Sequence, residues 1–267
     1  MFGRGRDSSI EPVTIDPLQA LQTAHRPVRP ARGGAGTLLI AGATGVLGNE
    51  LVRRLAGRHR FDHSLVLVRE PVQDGLRGLS SVEVPPAFPA QAPPGVRADV
   101  ALVSFDPPRL FHDRERALWT PAPQQLPALA RWLHGAGVRT LVVVQPHEQG
   151  RLPEALKRGL ASLDEQAVAA LGFERLLLVR TARKPSAVAR GGLPQRLAHW
   201  MISIARYMVP SSEQPVRAQG VAAFVDLALR LAPPGTHVAA PECVWQAAQG
   251  GRMEQVVRDW LAVPSRS

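Results

Sequence analysis

Thr37-Leu-Leu-Ile-Ala41 runs directly into Gly42-Ala-Thr-Gly45-Val-Leu-Gly48, and Leu47, Leu51, Val52 and Leu55 then recur at helical spacing. A short apolar run of this kind reads as a buried strand, and the repeat after it as a helix with one apolar face. Ser64-Leu-Val-Leu-Val68 is a second buried strand and ends at Arg69. Strand, helix and strand in such close succession form a βαβ unit, whose two strands must run parallel.

The three glycines gain their meaning from that context. Gly42 permits a tight turn, Gly45 lets the backbone approach a pyrophosphate, and Gly48 lets the helix pack close on the strand. The N–H groups that open the helix, those of Val46 and Leu47, are expected to be unpaired and to face phosphate with the positive end of the helix dipole. Thr44 is expected to add a hydroxyl donor or to cap the helix. The end of the second strand decides the ribose. An acid there accepts from a 2′-hydroxyl, whereas an arginine pairs with a 2′-phosphate. Arg69 therefore favours NADP over NAD, with Glu70 the alternative acceptor if the chain leaves the strand one residue later.

The alternation continues downstream. Strands are expected at Ser81–Val84, Asp99–Phe105, Arg139–Val144, Arg175–Val179 and His237–Ala240. Helices are expected at Gln124–Gly135, Val221–Leu231 and Met253–Leu261. Another is expected along the stripe Leu156, Leu160, Leu163, Ala167 and Leu171, closing at Gly172. Prolines 85, 86, 89, 93 and 94 mark a loop, and prolines 107, 108, 121 and 123 mark another. The expected fold is α/β: a Rossmann-type doubly wound parallel sheet of about seven strands with a small helical C-terminal part. Residues 1–35 read as a disordered basic tail. Residues 36–267 read as the nucleotide-binding domain, in which 181–235 and 241–267 form a smaller substrate-side part that roofs the cleft. The stripe Leu193, Leu197, Trp200, Met201, Ile204 and Met208 suits a helix laid on the sheet or over that cleft.

The chain's 267 residues suffice for a sizeable core without staples. A single cysteine, Cys243, excludes an internal disulfide framework and a multi-thiolate zinc site. Net charge is +10, and 30 of the 32 basic residues are arginine, since only Lys157 and Lys184 are lysines. The excess is spread along the chain, and aromatics are 5% of residues. A single-strand nucleic-acid binder sets stacking aromatics beside its cations, so nucleic acid is disfavoured as a partner and a basic scaffold is the third-ranked role. No apolar run approaches the ~20 residues of a membrane span, and the N-terminus lacks a secretory h-region; cytoplasm is the expected location. His59 and His63 share i, i+4 spacing, but no third ligand is evident, and no metal is expected. No GxSxG elbow supports hydrolase chemistry.

Gly42–Gly48, Arg69, Ala98-Asp-Val-Ala-Leu-Val103, Gly137-Val-Arg-Thr-Leu-Val-Val-Val144, the segment Ala170–Arg180 and Pro215–Ala222 together resemble the short-chain dehydrogenase/reductase superfamily. They look most like its atypical NAD(P)-binding branch of NmrA-like and Tat-interacting-protein-like oxidoreductases. The resemblance covers about residues 36–245, and only the glycine turn is specific. It implies a bound dinucleotide and, in active members, a catalytic tyrosine and lysine at i, i+4 with a serine after strand five.

This chain departs at all three places. The tyrosine and lysine positions fall at Lys157 and Ala161, the sole tyrosine is Tyr207, and the serine position falls near Gln145. Lys157, His147 and Gln145 are the candidates for substitute chemistry. The sequence thus implies a dinucleotide binder, silent or regulatory, with an active NADPH-dependent oxidoreductase using non-standard residues as the alternative. Substrate and protein partner are not legible.

Overall fold

The computed structural model describes residues 36–57, 60–70, 79–85, 88, 95–109, 115–147, 159–182, 216–249 and 251–262. The expected tail over 1–35, Lys157, Tyr207 and the stripe Leu193–Met208 lie outside the described residues.

The apolar runs are strands. β1 (Thr37–Ala41), β2 (His63–Val68), β3 (Leu79–Glu83), β4 (Val100–Ser104), β5 (Thr140–His147), β6 (Arg175–Ala182) and β7 (Gly235–Ala239) form one sheet, in the order β3-β2-β1-β4-β5-β6-β7. All six pairings are parallel. Leu38 sits between Ser64 and Val100, and Val144 pairs with Val179. The sheet grows outward from β1 to β3 and then resumes on β1's other side with β4. That reversal places a crevice at the carboxyl ends of β1 and β4, where ligands bind in open α/β sheets.

Both faces are covered, and for this reason the strands are apolar throughout rather than alternating. One face buries Leu38, Ile40, Leu102 and Val142 beneath α1 (Gly45–Leu55), α4 (Ala218–Leu231), α5 (Pro241–Ala248) and α6 (Met253–Leu261). The other buries Leu39, Ala101, Val103 and Val143 beneath α2 (Leu126–Gly135) and α3 (Leu163–Ala169). Leu38, Leu39 and Ile40 are fully buried; each such side chain contributes about 1.5–3 kcal/mol.

The described C-terminal helices α4, α5 and α6 lie on the sheet face beside α1, because their apolar stripes meet β-strand residues of that face; residues 183–215 of the expected substrate-side part lie outside the described residues. Pro241 at the start of α5 opens an extra helix, as proline does at a first helical position. Leu156 lies outside the described residues, and the described part of the leucine stripe is helical only from Leu163. Ser162 caps that helix: its hydroxyl accepts from the Glu165 N–H at 3.1 Å, while Glu165 Oε2 accepts from the Ala161 N–H at 2.6 Å. Leu163 is left 81% exposed, while Leu160 still packs on the core. The Gln124–Gly135 helix divides into a 3-10 turn, Pro123–Gln125, and α2. The remaining strands and helices stand within a few residues of their expected ends.

Candidate functional site

The glycine turn joins β1 to α1 at the crevice. Gly42 and Gly45 have φ of +84° and +70°, conformations that side-chain-bearing residues rarely adopt. A Cβ on Gly42 would lie 1.9 Å from the carbonyl oxygen of Ser104, and one on Gly48 would lie 2.4 Å from that of Gly42. The first contact shows β1's turn pressed against the end of β4. The second shows the start of α1 lying directly against the Gly42–Ala43 backbone.

Thr44 stands at the N-cap position, but its side chain makes no cap hydrogen bond. Its hydroxyl donates to the Asp106 carbonyl at 2.7 Å and lies 2.6 Å from the Thr120 hydroxyl. Thr44 has one proton to give, so Thr120 is the donor of that second bond. The threonine therefore ties the turn to the chain beyond β4, and the expected free donor or cap is absent.

The opening amides of α1 are also engaged. Leu47 N–H donates to Asp106 Oδ2 at 2.8 Å, and the neighbouring Val46 amide favours the charge of the same carboxylate. Gly45 N–H donates to Glu115 Oε2 at 3.0 Å. The first turn of α1 contains no acidic residue of its own, so carboxylates about 60–70 residues away complement its dipole. The expectation of an unpaired amide is corrected for Leu47, which Asp106 already engages.

The two carboxylates are held very differently. Burial raises the Glu115 carboxyl, but the Arg109 and Gly45 amides and the Arg109 guanidinium outweigh it and bring it down to about 2. Arg109 Nε lies 2.7 Å from Glu115 Oε1, and Asn49 Nδ2 bridges Glu115 Oε1 at 2.8 Å and the Gly45 carbonyl at 2.6 Å. Asp106 is half-buried, and burial pushes its carboxyl above the usual range despite the Leu47 and Val46 amides. Nearby Glu115 adds to that rise, and Arg109 opposes it. Donors hold the Glu115 charge, whereas burial disfavours that of Asp106.

Glu115 gives a pH dependence with a definite sign. Its folded pKa lies below its ordinary 4.5, so its stabilisation is present above about pH 4.5 and is lost as pH falls toward 2. With Arg109 40% exposed, a discounted contribution of about 2 kcal/mol is expected. Urea denaturation should find Glu115→Gln less stable than wild type at pH 6, with that gap shrinking by pH 3. An equal gap at both pH values would contradict the seating of Glu115.

The same downstream chain borders the end of β2. Trp119 N–H donates to the Leu67 carbonyl at 3.1 Å, Arg69 N–H to that of Ala117 at 2.7 Å, and Gly42 N–H to that of Trp119 at 3.1 Å. Val68 and Leu118 form an antiparallel bridge. The Arg69 side chain remains exposed at the strand end. Gln145 is half-buried near the carboxyl end of β5, where its carbonyl accepts from the Thr181 hydroxyl at 3.3 Å, and His147 closes that strand. Structure thus brings Gly42, Thr44, Gly45, Val46, Leu47 and Gly48 together. Sequence reasoning missed Asp106, Glu115, Asn49 and Arg109.

A dinucleotide's pyrophosphate finds suitable donors here but not free space. A Cβ on Gly45 would meet Asp106 Oδ2 at 2.2 Å, so a carboxylate already fills the position over the second glycine. Elsewhere, Cys243 is half-buried, and burial, with Glu242 beside it, pushes its thiol up to about 12. That is a packing cysteine, unsuited to thiolate chemistry. Among the described residues no three metal-ligating side chains come together, and no helix is long and apolar enough to cross a membrane.

No family model matches the sequence, and no curated protein matches it. Among solved structures, the chain is similar to the Bordetella bronchiseptica enzyme WbmG in complex with NAD, at 16% identity over 89% of this chain and 83% of that one, TM-score 0.42. It is also similar to a nucleoside-diphosphate-sugar epimerase from Staphylococcus aureus, at 13% identity over 86% and 92% of the two chains, TM-score 0.43. A third is the aureusimine biosynthetic cluster reductase domain, at 11% identity over 78% and 68%, TM-score 0.42. These are likenesses of chain path and nothing finer.

Proposed function

We propose that this chain is a dinucleotide-binding protein of the atypical short-chain dehydrogenase/reductase type, with a binding or regulatory role. The observation that carries the reading is the Gly42–Gly48 turn. It joins β1 to α1 where the strand order reverses, with two glycines in the left-handed region and anion-seeking amides at the helix start. The fold supplies the crevice, the glycines supply close approach, and the amides supply the charge preference.

Arg69, exposed at the end of β2, favours NADP over NAD. The sole tyrosine, Tyr207, has a serine four residues on, so the standard tyrosine–lysine proton transfer has no residues to run on. Gln145, His147 and Lys157 remain the candidates should hydride transfer occur. The test is a thermal-shift and fluorescence titration with NADPH and NADH at concentrations up to the millimolar range. The expected result is binding of both, tighter for NADPH, with that preference lost in Arg69→Glu. NADPH oxidation with quinones, flavins and aldehydes should be negligible; sustained turnover would reassign the chain as an oxidoreductase. No shift with either nucleotide, in wild type or in a variant lacking the Asp106 carboxylate, would end the dinucleotide reading.

A further inference from the structure

The amides of a Rossmann turn are ordinarily the places where the diphosphate enters. In this chain they are filled from within. Asp106 Oδ2 accepts from Leu47 N–H at 2.8 Å and lies 2.2 Å from where a Cβ on Gly45 would stand, while Glu115 Oε2 takes Gly45 N–H at 3.0 Å. Thr44 fixes the backbone of Asp106 through its carbonyl at 2.7 Å, so the carboxylate is delivered to the turn by a built contact. We infer that Asp106 is an internal stand-in for the diphosphate, an autoinhibitory plug that a dinucleotide must displace before it can bind.

The inference rests on the dinucleotide reading for its ligand but not for its geometry. Two negative groups cannot share one amide, so ligand and carboxylate compete. Glu115 is not the movable part. Four donors, from Gly45, Asn49 and both the amide and guanidinium of Arg109, hold it, and its loss would loosen the turn itself. Asp106 is half-buried and its carboxylate carries one amide bond, from Leu47, with no guanidinium donating to it among the described contacts. Withdrawal of its side chain clears the position above Gly45, leaving the Pro107 carbonyl, 2.7 Å from a Cβ placed there, as the remaining wall. Such a site stays closed at low ligand concentration and opens when something else engages Asp106 or the chain that carries it.

The test is calorimetric titration of the full chain with inorganic pyrophosphate, NADPH and NADH, on wild type, Asp106→Ala and Asp106→Asn. Both variants are checked for a native thermal transition; the asparagine variant retains the side chain's shape. The expected result is pyrophosphate binding at least tenfold tighter in both variants than in wild type, and NADPH likewise. Pyrophosphate affinity that is unchanged or weaker in both variants would overturn the plug, whatever the nucleotides do. Tighter pyrophosphate with no binding of either nucleotide to any form would uphold the plug and remove the dinucleotide reading. Equal NADPH affinity in wild type and both variants would uphold the dinucleotide reading and overturn the plug.

Discussion

Gly42→Ala is expected to lower the melting temperature by on the order of 10 °C or more, or to prevent folding. The new methyl group would sit 1.9 Å from the Ser104 carbonyl oxygen and 2.8 Å from its carbon, in backbone at the end of a central strand. Neither partner is the far end of a flexible side chain. The left-handed φ of +84° adds roughly 1–2 kcal/mol of its own, and relief of the clash requires parting β1's turn from β4. A total above ~4 kcal/mol places the change among the severe ones, and a domain of this size loses about 2–4 °C per kcal/mol. Gly251→Ala is the control: no atom lies within 4 Å of its Cβ position and its φ is ordinary, so a change within about 0.5 kcal/mol is expected. Calorimetry on both variants decides it. Equal melting temperatures would show that the turn does not press on β4 as described.

Asp226→Asn is expected to cost about 3 kcal/mol, or roughly 6–12 °C, because it strips the charge from a buried aspartate that three partly exposed arginines surround. Asp226 lies on α4 with its side chain 7% exposed. Arg54 of α1 approaches it at 3.3 Å, Arg230 at 3.4 Å, and Arg60 pairs with its carboxylate while donating to its main-chain carbonyl at 2.7 Å. One acid thus balances three guanidinium groups and ties α4 to α1 and to the approach to β2. With the charge gone, three cations face one another around a neutral amide. Arg230→Ala should cost under ~1 kcal/mol, since that side chain is 53% exposed. Chemical denaturation of both variants separates the two. An Asp226→Asn variant as stable as wild type would refute the cluster's role.

These two sites also mark what a sequence discloses. Gly42 is legible because a positive φ and a missing Cβ leave their trace in residue type, at a place flanked by a strand and a helix. The strands were legible for a similar reason: burial on both faces demands continuous apolar runs. Asp226 was half-legible, an acid set among Val221, Ala222, Val225 and Leu229 on a buried helix face, four residues before an arginine. Part of the arginine excess that reads as scattered surface charge is spent on that one aspartate.

Asp106 and Glu115 left no such mark. They lie in a proline-punctuated connection with no period, and their partners are about 60–70 residues away in sequence. Nothing local distinguishes them from other loop acids. The Thr44 contact leaves no local trace for a related reason. The residue's position before the helix is the usual capping place, but the hydroxyl turns to the Asp106 carbonyl because the chain beyond β4 is packed there. Ser162 and Glu165 show the opposite case: a local capping signal was present, and the longer leucine stripe outweighed it.

The central claim is that the Gly42–Gly48 amides form a diphosphate site held by the chain's own carboxylate. Its most direct test follows the backbone amide resonances of Gly45, Val46 and Leu47 by heteronuclear NMR while NADPH is added to wild type and to Asp106→Ala. Shifts are expected in the Val46 and Leu47 amides of both proteins, saturating at an NADPH concentration at least tenfold lower in the variant. Amides that do not move in either protein at millimolar NADPH would contradict it.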